Sequence, residues 1–65
     1  MNVHIRFSEV KIVLKEGTTI SSYQPGYLDL TDRYVFMQRE DAKGPYYQRE
    51  IIPWEMIHNI GYDVE

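Results

Sequence analysis

The chain has 65 residues, seven Lys and Arg against ten Asp and Glu for a net charge of −3, and no cysteine. The missing cysteines exclude disulfides and thiolate metal sites, and the acidic balance argues against a protein built on non-specific attraction to phosphates. No run of about 18 apolar residues could span a membrane, and the first ten residues lack the apolar core of a secretory signal. We therefore expect a single cytoplasmic domain over residues 1–65.

Domains of this size bury little surface per residue and are only marginally stable alone. They are usually reinforced by disulfides, by a structural metal or by oligomerisation. The chain has no cysteine and two histidines, His4 and His58, which cannot form a structural zinc site without carboxylates. We expect neither a metal nor another cofactor, and we predict a homo-oligomer, a protein partner, or both.

The first half of the chain has the pattern of short strands. Residues 3–7 and 10–14 each alternate apolar and polar side chains, which predicts strands with one apolar face. Ser8 and Glu9 between them are compatible with a bend, a bulge or an uninterrupted strand. Gly17 predicts a tight turn into a returning strand. The Pro-Gly pair at 25–26 predicts a loop, followed by a short strand over 27–30.

The second half continues the same pattern. Residues 31–33 predict a turn or a strong bend, and residues 34–37 are apolar on both faces. That run predicts a central strand, or a strand whose outer face meets another molecule. A charged hairpin loop then leads into a strand over 46–52. Pro53 cannot donate a ladder hydrogen bond, so we predict one 3₁₀ turn there and a short final strand from residue 57.

No segment of the chain has helical periodicity over ten residues. The predicted fold class is therefore all-β, with five or six short strands and one 3₁₀ turn before the last strand.

The aliphatic pattern at both ends of the chain resembles Sm-like small β-barrels. The resemblance covers residues 9–61 and implies a five-stranded SH3-like barrel that closes into rings through its edge strands and often binds RNA. Sm-like proteins usually begin with a helix, whereas this chain begins with a predicted strand. The matching residues are Val10, Ile12, Leu14, Lys15, Gly17 and Ile20 at the front and Ile52, Pro53, Ile57 and Ile60 at the back.

A second resemblance is to bacterial pleckstrin-homology-like and GRAM domains. The stretch "GYLDLTDRYVF" at 26–36 is similar to their G-x-L-x-L-T-D-x-R-L-x-F motif. Residues 52–60 are similar to the I-P-x-x-x-I-x-x-I strand of the same family. This resemblance implies binding of a lipid or a peptide.

The strand before Pro53 and the tryptophan after it form the predicted interface. Trp54 either fills one end of the barrel or contacts a partner, because tryptophan is common in both settings. The preceding strand, 46–52, is predicted at an edge, where free main-chain groups can pair with another strand. The predicted interface residues are Tyr46, Tyr47, Ile51 and Trp54.

The hairpin at 33–49 carries most of the arginines of an otherwise acidic chain, interleaved with tyrosines. Arginine planes and aromatic faces stack on single-stranded bases, so an RNA site is one interpretation. The other is a solvated hairpin with cross-strand ion pairs. We favour a protein partner, since these few cations hardly offset an acidic surface. The candidate nucleic-acid residues are Arg33, Tyr34, Arg39 and Arg49.

Nothing in the sequence indicates an enzyme. Ser8, Ser21 and Ser22 lack a nucleophile-elbow motif, and a small barrel leaves little room for a pocket. We expect a small oligomeric binding module, regulatory or inhibitory, of the size that bacteria and phages commonly encode. The alternatives are an Sm-like ring that binds single-stranded RNA or a small ligand between its subunits, and a pleckstrin-homology-like binder of lipid or peptide.

Overall fold

The computed structural model of the chain describes residues 2–40 and 49–65. Over these residues the protein is all-β, as predicted, with six strands and a single 3₁₀ turn before the last strand. No helix in this part of the chain is long and apolar enough to cross a membrane. The elements are β1 (Val3–Leu14), β2 (Thr19–Ser22), β3 (Gly26–Leu30), β4 (Tyr34–Arg39), β5 (Arg49–Pro53), the 3₁₀ turn (Trp54–Met56) and β6 (Ile57–Val64).

The long strand β1 organises the sheet. The two predicted strands at 3–7 and 10–14 form one strand, with a β-bulge at Ser8 where the register with β6 shifts. The first half of β1 pairs with β3 and the second half pairs with β2. Strand β6 pairs with the same β1 residues as β2, so it lies on the opposite edge of β1.

The other side of the sheet runs from β3 through β4 to β5. All of these pairs are antiparallel, and the sheet curls into a half-barrel around the core. Alternation along each strand sends every second side chain to the concave face. The buried hydrophobic residues of that face are Phe7, Val10, Ile12, Leu14, Leu28, Val35, Met37 and Ile52.

Two glycines mark places where the backbone has special demands. Gly17 has a φ of 106°, a left-handed conformation that favours glycine, and its N–H donates to the Leu14 carbonyl at 2.9 Å in the predicted tight turn. At Gly26 the demand is for space. A Cβ there would overlap the carbonyl oxygen of Gln38 and lie 2.7 Å from Cζ of Phe7.

The 3₁₀ turn forms the corner between β5 and β6. Strand β5 ends at Pro53, the partner of Tyr34 in the ladder. The N–H of Trp54 then donates to the carbonyl of Arg33 at 3.2 Å, and the Met56 carbonyl accepts from the N–H of Lys15 at 2.9 Å. The corner is thereby tied both to the β3–β4 turn and to the end of β1.

Candidate protein-binding edge

Strand β5 forms one edge of the sheet, because β4 is its only partner among residues 2–40 and 49–65. The bond from Trp54 to Arg33 fixes how the β5 main chain is oriented. In an antiparallel ladder, hydrogen-bonded and non-hydrogen-bonded residue pairs alternate. Counting back from Trp54, Ile52 exchanges hydrogen bonds with β4, and Ile51 does not. The N–H and C=O of Ile51 therefore point away from β4, toward the open edge.

An apolar patch lies beside this edge on the convex face. Ile51 is opposite Phe36 in the ladder, and Tyr34 precedes Phe36 by two residues on the same face. Ile51 is 64% exposed and Tyr34 is 38% exposed, while Phe36 is half-buried. We call Tyr34, Phe36 and Ile51 the β5 patch. It explains why residues 34–37 are apolar on both faces, since Val35 and Met37 point into the core.

Trp54 is half-buried and packs against the core at the end of β5. Its Nε1–H donates to the Thr31 carbonyl at 2.6 Å, so the polar atom of the indole is bonded within the chain. The hydroxyl of Thr31 in turn donates to the Tyr34 carbonyl at 2.8 Å and accepts from the Tyr34 N–H at 3.0 Å. This set of bonds holds the β3–β4 turn against the corner.

Of the predicted interface residues, Ile51 lies on the open edge and Trp54 lies directly after its last residue. Tyr46 and Tyr47 fall outside the described residues. Phe36 was not among the predicted site residues. The signal for it was present in the sequence, since it occupies an outward position in a run that is apolar on both faces.

The candidate nucleic-acid residues are divided between the two faces of the sheet. Tyr34 and Arg49 are on the convex face, and Arg33 is in the turn before β4. Arg39 pairs with Gly26 on the opposite face, where its guanidinium donates to the Ser21 carbonyl at 2.7 Å. The structure thus places Tyr34 and Arg49 on one face, at opposite ends of the β4–β5 ladder, and directs Arg39 to the other face.

A polar network covers the convex face at the far side of β3. The guanidinium of Arg6 donates to the hydroxyl of Tyr27 at 2.8 Å and to both carboxylate oxygens of Glu40 at 2.9 and 3.2 Å. It also donates to the carboxylate of Glu65. The hydrogen bond to Glu65, aided by the charge of Glu40, raises the pKa of Arg6 above its ordinary value. These polar side chains form hydrogen bonds with one another. The β5 patch, by contrast, leaves apolar side chains exposed to solvent.

His4 belongs to the same network. Its ring stacks on Tyr27 with centroids 5.2 Å apart, and its Nδ1 lies 2.6 Å from Oδ1 of Asp29. His58 lies at the other end of β1, beside the pair of Leu14 with Ile57, so the two histidines do not meet. Within the described ranges, no group of three His, Cys, Asp or Glu side chains could hold a metal ion.

Comparisons of the chain with protein families, with characterised proteins and with solved structures find no match. The resemblances to Sm-like and to pleckstrin-homology-like domains therefore stay predictions.

Proposed function

We propose that the protein is a non-enzymatic binding module that pairs its β5 edge with an extended strand of another protein chain, including a second copy of itself. The observation that carries the proposal concerns Ile51. Its main-chain groups point to the open edge, and the residue is 64% exposed beside Phe36. Such a module would regulate or inhibit its partner by covering the strand with which it pairs.

The two parts of the site divide the work of binding. Main-chain hydrogen bonds to an added strand give affinity with little dependence on sequence, and the side chains next to them give specificity. Full burial of an isoleucine side chain contributes about 1.5–3 kcal/mol. We therefore expect the partner strand to place an apolar side chain on the β5 patch.

A second copy is the simplest partner. Two β5 strands related by a two-fold axis can pair antiparallel, which brings the β5 patches of the two copies side by side on one face of the joined sheet. Such an interface is isologous. Pairing of this kind would also cover the exposed edge, which is otherwise a site for aggregation.

The test is a proline placed on the outward side of β5. Ile51→Pro removes the N–H that faces the open edge and leaves the ladder with β4 intact, since proline is tolerated where the N–H faces solvent. Ile52→Pro, one residue later, removes an N–H that bonds to β4 and is expected to unfold the protein. The pair thus separates edge pairing from folding.

The measurement is absolute mass by light scattering after gel filtration over a range of concentrations. We expect the wild type to form dimers or larger species, and Ile51→Pro to remain a folded monomer with a wild-type circular dichroism spectrum. A wild type that stays monomeric at every concentration would contradict self-association through this edge. So would an Ile51→Pro variant that associates as strongly as the wild type.

A further inference from the structure

A recess of about 260 Å³ lies where β1, β6 and the β2–β3 loop meet. It shares no residue with the β5 patch and belongs to none of the sites described above. Its volume is below the roughly 300–1,000 Å³ of sites that enclose drug-sized ligands, so it fits part of a molecule, such as one side chain. The residues that line it are Glu9, Val10, Lys11, Tyr23, Gly61, Tyr62 and Asp63.

Gly61 leaves open space in this recess. It lies inside β6, where a glycine weakens a strand and often marks a close approach by a ligand or another backbone. A Cβ added at Gly61 would meet no atom within 4 Å, and its φ is not positive. Neither packing nor conformation within the described part of the chain calls for a glycine here.

The side chains around Gly61 indicate what enters. Tyr23 is 79% exposed, so its ring offers accessible surface. Tyr62 pairs with the buried Val10, so its side chain lies on the other face of β6 from Gly61. The carboxylates of Glu9 and Asp63 belong to directly paired residues of β1 and β6. Neither forms an ion pair with another described residue. With Lys11, the recess carries one net negative charge.

We infer that this recess binds the side chain of an arginine from a partner protein. A guanidinium is planar and can stack on a tyrosine ring while its N–H groups donate to carboxylates, a combination that an ammonium group matches less well. Lys11 restricts the acidic surface to the Glu9 and Asp63 side of the recess. The inference is independent of strand pairing at β5.

The test uses three small probes and two valine variants. The probes are a capped Gly-Arg-Gly peptide, the same peptide with neutral citrulline in place of arginine, and free arginine. Gly61→Val fills the recess with a side chain whose Cβ would meet no atom within 4 Å. Asn59→Val places the same side chain two residues earlier on the same face of β6, outside the recess, and serves as the matched control.

Titrations are followed by the shifts of backbone amide signals in two-dimensional NMR spectra. We expect the arginine peptide to cause saturable shifts at Gly61 and its neighbours, with the citrulline peptide binding at least tenfold more weakly. Gly61→Val should weaken the arginine peptide at least tenfold, and Asn59→Val and Ile51→Pro should leave it unchanged. Tyr23→Ala, in the exposed loop, should weaken it about twofold to fivefold.

Three results would overturn the inference. The first is equal binding of the arginine and citrulline peptides, which would remove the role of the charge. The second is undiminished binding by Gly61→Val, or by Tyr23→Ala if the valine variant does not fold. The third is free arginine binding more tightly than the peptide, which would exclude a partner side chain as the occupant.

Discussion

The two glycines at 26 and 61 allow the same substitution to be tested in opposite environments. In Gly26→Ala the new methyl would overlap the Gln38 carbonyl oxygen and lie 2.7 Å from Phe7 Cζ and 3.1 Å from Arg39 Cα. Phe7 is fully buried, and Gln38 and Arg39 are held in the ladder with β3. Movement of any of these atoms would therefore disturb the core or the ladder and cost free energy. In Gly61→Ala the new methyl meets nothing.

The expected effects differ in sign. Overpacking of this kind costs about 1–3 kcal/mol, which is a large part of the roughly 3–10 kcal/mol expected for a domain of this length. Gly61→Ala should instead stabilise the protein by about 0.4–1 kcal/mol, because alanine loses less backbone freedom on folding.

Urea unfolding followed by circular dichroism measures both changes. With a slope of about 1 kcal/mol per molar urea, Gly26→Ala should lower the unfolding midpoint by about 1–3 M, and Gly61→Ala should raise it by about 0.4–1 M. A Gly26→Ala midpoint within about 0.3 M of the wild type would refute the close approach of β3 to Phe7 and β4. An equal decrease of the unfolding midpoint in Gly26→Ala and Gly61→Ala would refute the open space above Gly61.

Three further substitutions test the corner and the polar network by the same unfolding measurement. Trp54→Phe removes the indole N–H bonded to Thr31 and should cost about 1–2 kcal/mol; an unchanged midpoint would show that the bond contributes nothing to the fold. Thr31→Val removes the hydroxyl that holds the β3–β4 turn and should cost about 1 kcal/mol, whereas the control Thr19→Val, on an exposed strand position, should cost nothing. Arg6→Gln should shift the midpoint less than Thr31→Val, because its carboxylate partners are exposed; a larger shift would contradict that ranking.

The local features of the fold could be predicted from the sequence. Alternating side chains indicated the strands, Gly17 indicated the first tight turn, and Pro53 indicated the break before the 3₁₀ turn. Each of these depends on residues that are neighbours in the chain. The run at 34–37, apolar on both faces, likewise indicated a central strand, and β4 lies between β3 and β5.

Features that depend on distant pairing were harder to predict. Residues 3–14 form a single strand because β6 pairs across the irregularity at Ser8, from more than fifty residues away in the chain. The same pairing extends β6 to Val64, although its exposed outer positions give little hydrophobic signal. The face that Arg39 occupies depends on its register with Gly26, and this register separates it from Arg49.

Amide hydrogen exchange at Ile51 and Ile52 tests the open edge most directly. In dilute solution the Ile51 N–H should exchange rapidly and the Ile52 N–H slowly, because only the latter bonds to β4. As the concentration rises and the chains associate, Ile51 should become protected while Ile52 stays as it was. Equal protection of the two amides in the dilute monomer would mean that the edge is already covered. An Ile51 amide that remains unprotected while the mass increases would mean that association uses another surface.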